Sequence, residues 1–233
     1  MATSVVEECP QVASDLMRTA VLLEICVDSV ESAAIALSGG AHRLELCSGL
    51  GEGGLTPTAG FVRAVRQLRR GRKVALMCLI RCRAGGFVYS PDEVRLMRDD
   101  IGVLRDAGAD GFVIGALTDK GDINVEVCQQ LREVCGNLPV TFHRAFDYCK
   151  EPFPAAITKL KQIGCNRLLT SGREANVVAG LDALKELCRL GLEERVIVVP
   201  GGGVRVENIS LLRECVKAVQ CSNGQGALFH ANC

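Results

Sequence analysis

Two short stretches of the chain repeat one pattern. LLEIC contains Glu24 and Cys26, and LELC contains Glu45 and Cys47. Side chains alternate across a strand with period two, so each carboxylate shares a face with its thiol. Neighbouring strands lie about 4.8 Å apart, so the two thiols can face each other. Two sulfurs without a tetrahedral set suit a soft ion such as Cu(I) better than zinc, which takes four ligands. The plainer alternative is a pair of buried cysteines acting as small hydrophobes, and spacing alone leaves both open. In the metal reading, the carboxylates are expected to pair with Arg43, Arg81 or Arg83 rather than touch copper, which prefers sulfur to oxygen. Those cations are also available to lower the thiol pKa.

A second group of residues suggests acid–base and anion chemistry. VTFHRAFD carries His143 on a strand, on the face of Thr141, with Phe142 and Arg144 on the other face. A histidine at a strand end is either a candidate acid–base group or a hydrogen-bonded structural residue. LIRCRAGGF holds Arg81 and Arg83, whose forks suit a carboxylate or phosphate, or an internal pair with Glu24 or Glu45. VVPGGGV places Gly201, Gly202 and Gly203 after a buried strand and ahead of a helix. There backbone N–H groups can meet an anion, with Thr170, Ser171 and Gly172 supplied by LLTSGR; the alternative is a tight turn. Read as an enzyme, the chain would use Glu24, Glu45, Arg81 and His143 on a small anionic substrate, as a lyase or isomerase. Arg83, Ser171 and the glycine triplet would then hold the anion. GLGEGG matches the dinucleotide pattern Gly-x-Gly-x-x-Gly, but it belongs to the second strand–helix unit. The next strand ends in Arg81 rather than a ribose-binding acid, so the segment reads as a glycine loop over the mouth of a barrel.

The elements that must position these residues alternate regularly. Strand patterns fall at 22–28, 43–47, 74–81, 111–117, 140–147, 167–171 and 196–200. Helical patterns fall between them at 29–37, 58–69, 91–106, 125–135, 154–163, 176–190 and 206–214. Alternation of this kind implies parallel strands joined by right-handed crossovers. Polar residues end most strands, as on the rim of a closed barrel, whereas an open sheet concentrates them at one switch point. The expected fold is therefore an α/β chain forming a (β/α)8 TIM-type barrel. Either VKAVQCS or ALFHANC could supply the eighth strand, which reads as altered or incomplete, and no residues remain for a last helix. Residues 21–233 are expected to form one barrel domain after a loose N-terminal extension at 1–20.

Composition narrows the function classes. The chain of 233 residues has equal numbers of acidic and basic groups and only 4% aromatics, which argues against a nucleic-acid partner. No apolar run reaches membrane-spanning length, so no membrane partner is expected. Thirteen cysteines, odd in number and without a Cys-x-x-Cys pair, read as mostly reduced and buried in a cytosolic protein.

Taken in order, LLEICVDSVESA, GGAHRLELCSGLGEGGLTPT, ADGFVIGALT, LPVTFHRAFD, RLLTSG and VVPGGGV resemble the CutC family of copper homeostasis proteins over roughly 22–209. The resemblance implies a (β/α)8-type barrel, Cu(I) binding with Cys26 and Cys47 as ligands, and a homo-oligomer, specifically a tetramer. It also implies a cytoplasmic location, with the nucleus as a further one, and it leaves open whether the family has enzymatic activity. Two departures stand out. RCRAGGF has Cys82, Ala84 and Gly86 where the family carries Pro, Gly and Asp. ALFHANC echoes a Glu-Phe-His strand ending with Leu228 in place of the acid, and the family's remaining C-terminal segment does not follow. The chain is expected to be a truncated or alternative form.

Overall fold

The computed structural model describes residues 21–220 and 227–232, so the extension expected at 1–20 lies outside the described residues. The strands are β1 (Val21–Val27), β2 (Arg43–Leu46), β3 (Ala75–Leu79), β4 (Gly111–Ile114), β5 (Val140–Phe142), β6 (Arg167–Thr170), β7 (Ile197–Pro200) and β8 (Ala227–Asn232). The helices are α1 (Val30–Ser38), α2 (Ala59–Leu68), α3 (Pro91–Ala107), α4 (Val125–Cys135), α5 (Phe153–Ile163), α6 (Leu181–Glu194) and α7 (Ile209–Gln220). All strand pairs are parallel, in the order β7-β6-β5-β4-β3-β2-β1-β8. A parallel bridge from Gly201 to His230 joins the two ends and closes the barrel.

Closure answers the question left by the tail. ALFHANC forms β8, paired with β1 from Val21↔Ala227 to Cys26↔Asn232. Most of VKAVQCS instead belongs to α7, which runs to Gln220. Among the described residues no helix follows β8.

Strands β2 to β7 are largely buried on both faces, as parallel strands covered by helices must be. Alternate residues separate two apolar layers. Leu76, Cys78 and Ile80 pack outward with Leu44, Leu46, Phe112, Phe142 and Leu168 against the helices. Met77 and Leu79 point inward with Cys26, Cys47 and Val113, while Leu169 and Val199 form a second inward cluster. Helix α3 shows why the outer layer forms where it does. Ser90 and Glu93 make a reciprocal capping box, Pro91 occupies the first turn, and Val94, Met97, Ile101 and Leu104 recur at helical spacing on the buried face.

Among the boundaries that differ from the sequence reading, three have a clear local reason. Strand β5 stops at Phe142, and a 3-10 turn (Arg144–Tyr148) follows, because the His143 side chain caps it through Ala145 N–H. Helix α6 starts at Leu181 rather than 176, since Asn176 Oδ1 accepts from the Val178 and Ala179 amides and holds a turn there. Strand β4 ends at Ile114, where Gly115 makes way for the imidazole of His143; a Cβ at that glycine would lie 2.5 Å from the ring.

Candidate functional site

Below the mouth, the barrel interior is polar. Glu24 forms an ion pair with Arg43, its register partner on β2, and both are buried. Burial pushes the Glu24 carboxyl above its usual pKa, against the pull of Arg43 and His230. Arg167 lies nearby, lowered to about 10, first by burial and then by Arg43. Glu24 does not line the cavity above; it belongs to this internal charge layer.

The cavity at the strand C-termini encloses about 130 Å³ and is lined by Cys26, Glu45, Arg81, His143, Arg144 and His230, among others. On its β1–β2 side the two thiols meet. The Cys26 and Cys47 Sγ atoms are 3.5 Å apart, and Cys47 Sγ also contacts the Val27 carbonyl at 3.6 Å. Cys26 lines the cavity, whereas Cys47 lies just behind it. Glu45 is the register partner of Cys26, so the Glu-x-Cys pairs do face one side, offset by one pair. The expectation that arginines depress the thiols does not hold at Cys26. Its pKa is well above the usual value because of the hydrogen bond to Cys47, burial and the nearby carboxylates.

Glu45 has an unexpected partner. His230 Nε2 lies 2.9 Å from Glu45 Oε2, and both side chains are buried. The contact is an ion pair at a poor hydrogen-bond angle, since neither atom makes a well-aligned bond among the described residues. Burial opposes charge on His230, but Glu45 and Glu24 outweigh it, and the pKa is raised. Ligand atoms of Cys26, Glu45 and His230 all fall within 4.8 Å of one another. The sequence signal for His230 was present in ALFHANC, but only the β1–β8 register shows that it meets Glu45.

The other side of the cavity belongs to β5, β6 and β7. His143 is 4% exposed and lies between Phe87 and Phe142. Its Nδ1 accepts from Ala145 N–H at 3.1 Å. Burial lowers its pKa to about 4, so the neutral ring carries its proton on Nε2. That atom is buried with no protein partner among the described residues. Arg144, expected on the opposite face, also lines the cavity, because the strand ends before it and the alternation stops.

The expected anion-binding residues separate. Arg81 donates to the carbonyls of Glu52, Gly54 and Gly85 at 2.8, 3.1 and 2.8 Å, tying the GLGEGG loop to the loop after β3. It also sits over the Phe87 ring. Arg83 pairs with Glu93 and donates to the Gly86 and Val88 carbonyls; it does not line the cavity. Ser171 is consumed internally. Its N–H and hydroxyl, with the Thr170 hydroxyl, the Arg173 N–H and the Arg144 guanidinium, all donate to Asp147. The carboxylate of Asp147 is thus the anion that this loop holds. Of the glycine triplet, Gly202 reaches the cavity, Gly201 pairs with β8, and Gly203 gives its carbonyl to Asn208.

Seven strand–helix units closed by an eighth parallel strand, with polar groups gathered at the strand C-termini, define a TIM-type barrel with a rim site. The CutC family profile matches residues 21–225, and the chain belongs to the CutC family. The human copper homeostasis protein cutC homolog is 45% identical over 193 residues, spanning 83% of this chain and 69% of that protein. The family protein CutC of Bacteroides thetaiotaomicron is 44% identical over 187 residues, spanning 80% of this chain and 74% of that protein. A crystal structure described as a CutC copper homeostasis protein from Streptococcus agalactiae superposes with a TM-score of 0.81 at 28% identity, covering 91% of this chain and 98% of that one. Deoxyribose phosphate aldolase from Aeropyrum pernix shares the fold at 12% identity, with a TM-score of 0.60.

Proposed function

We propose that this member of the CutC family binds Cu(I) as cargo through Cys26 and Cys47. The observation that carries the reading is the pair of sulfurs 3.5 Å apart at the mouth of the barrel, beside the imidazole of His230. Thiolate and imidazole are the donors a soft or borderline copper ion prefers, and Glu45 is better suited as the counter-ion of His230 than as a ligand. The Cys26 thiol is held protonated by its hydrogen bond to Cys47 and by burial, so binding must release its proton, which makes affinity rise with pH. A copper-handling role also fits what the curated relatives are named for. The same proposal includes assembly as a tetramer and residence in the cytoplasm and nucleus, which light scattering and cell fractionation test.

The alternative lyase or isomerase reading relied on four residues. Two of them have structural commitments: Glu24 to Arg43 in the layer below, and Arg81 to three loop carbonyls.

The decisive measurement is competition titration against a strong Cu(I) chelator. None of the nine cysteines with described side chains forms a disulfide, so weaker binding elsewhere is expected and only the tightest event counts. Cys26→Ser and Cys47→Ser should each abolish that event. If the double variant retains it, the metal site lies elsewhere and the pair is core packing.

A further inference from the structure

The side of the cavity facing away from the thiols is built for something other than a metal. It presents two nitrogen donors and no sulfur. The first is His143 Nε2–H, buried and without a protein acceptor among the described residues. The second is Arg144, whose Nε donates to Asp147 and whose one Nη donates to Ser171, leaving the other Nη uncommitted among the described residues. Its side chain is 42% exposed, so that edge is accessible. Gly202 brings the backbone against it: φ is +101°, and a Cβ there would lie 2.9 Å from Arg144 Cζ. Leu50, Leu79, Leu169 and Phe87 complete an apolar wall.

We propose that the barrel mouth holds a second, copper-independent site for a small 2-oxo or 2-hydroxy carboxylate, its carboxylate on Arg144 beside Gly202 and its second oxygen on His143 Nε2–H. Three features set this ligand class. A neutral imidazole donates one hydrogen bond and suits a carbonyl or hydroxyl oxygen, whereas guanidinium suits a carboxylate. The cavity of about 130 Å³ is slightly smaller than one of about 150 Å³ that accepts benzene, so roughly six non-hydrogen atoms fit. Phosphate is disfavoured because its oxygens need several charged donors, and both Nη groups of Arg81 are committed to carbonyls, which leaves only its Nε without a partner among the described residues. Asp147 offsets part of the Arg144 charge, but it is itself surrounded by donors from Thr170, Ser171 and Arg173.

The test uses the whole, copper-free chain with pyruvate and lactate as probes, followed by ligand-observed NMR and by the ¹H–¹⁵N signal of the His143 ring. Binding with a shift of the Nε2 signal is expected. Arg144→Lys keeps the charge beside Asp147 but loses the fork, and His143→Gln loses the ring donor. Each should weaken pyruvate by about tenfold or more, with melting curves confirming that the variants are folded. Cys47→Ser removes a thiol that does not line the cavity and should leave pyruvate affinity unchanged while removing tight copper binding, so the two readings fail separately. Three results would each overturn the proposal: no pyruvate binding at tens of millimolar, unchanged affinity in Arg144→Lys and His143→Gln, or inorganic phosphate binding as tightly as pyruvate.

Discussion

The two sides of the barrel mouth each bury a carboxylate, and they treat it oppositely. Asp147 receives donors from the Thr170 and Ser171 hydroxyls, the Ser171 and Arg173 amides, and Arg144. Glu45, equally hidden, has only the poorly aligned His230 as a side-chain partner among the described residues. Charge and burial are alike, with side-chain exposures of 6% and 5%, so neither distinguishes structure from site. The count of satisfied lone pairs does. A carboxylate with every position filled holds two loops together and has nothing to offer a ligand. One with spare capacity, beside two thiols and an imidazole, can itself still gain from a ligand, whereas on the Asp147 side it is Arg144 and His143, not the carboxylate, that keep a spare donor.

Exchanging each carboxylate for its amide tests that contrast most directly. Asp147→Asn should cost about 3–5 kcal/mol, because several donors that now converge on a charge would face an amide, one end of which is itself a donor. Glu45→Gln should cost about 1 kcal/mol, the scale of one imperfect interaction, and leave tight copper binding in place. Urea denaturation gives both values, and equal losses would erase the distinction between the two sides.

A pH profile separates the two histidines. His143 is lowered from 6.5 to about 4, with burial the largest cause, Glu45 and Asp147 opposing it and Arg81 adding to it. Between about pH 6.5 and 4 the unfolded chain takes up a proton that the folded one refuses, so stability falls as pH drops, by about 3 kcal/mol in all. His143→Gln should flatten that limb. His230 is raised instead, so its contribution is present at low pH and is lost as pH rises through its folded value. The limb that flattens should therefore lie below pH 6.5 in His143→Gln and above pH 6.5 in His230→Gln.

The smallest effect is expected at Arg83. Its pairing with Glu93 lies outside the cavity, and an exposed ion pair contributes little. Arg83→Ala should leave the melting midpoint, the copper affinity and the pyruvate affinity near those of the parent. A loss of pyruvate binding would return Arg83 to the anion site.

The barrel was legible because periodicity two and periodicity 3.6 alternate cleanly from residue 22 onward, and the inward direction of Glu24, Cys26, Glu45 and Cys47 followed from the first of these. What could not be read was where strands stop. Arg144 was assigned away from the cavity because alternation was carried two residues beyond the end of β5, where the His143 cap turns the chain. Arg81 and Arg83 looked alike as strand-end arginines, yet loop carbonyls captured one and a helix-capping glutamate the other. Sequence holds no signal for the capture of Arg81, since its acceptors are backbone atoms that every residue carries. His230 was missed for another reason. It pairs with a residue 185 positions earlier, and only the register of the closing strand brings them together.

That register also sets a timetable. Most neighbours in this sheet are adjacent in the chain, so β1 through β7 can zip in order as they are made. The pairing of β1 with β8 spans some two hundred residues, and contacts of such long range are the slow ones to form. Until β8 docks, Glu45 has no imidazole beside it and Cys26 lies on an unpaired edge. Completion of the barrel and completion of the Cys26–Glu45–His230 cluster are therefore the same event. Under the proposed function, copper meeting the nascent thiols before that moment would find an edge strand rather than a finished site, and the last strand would act as the latch on that site.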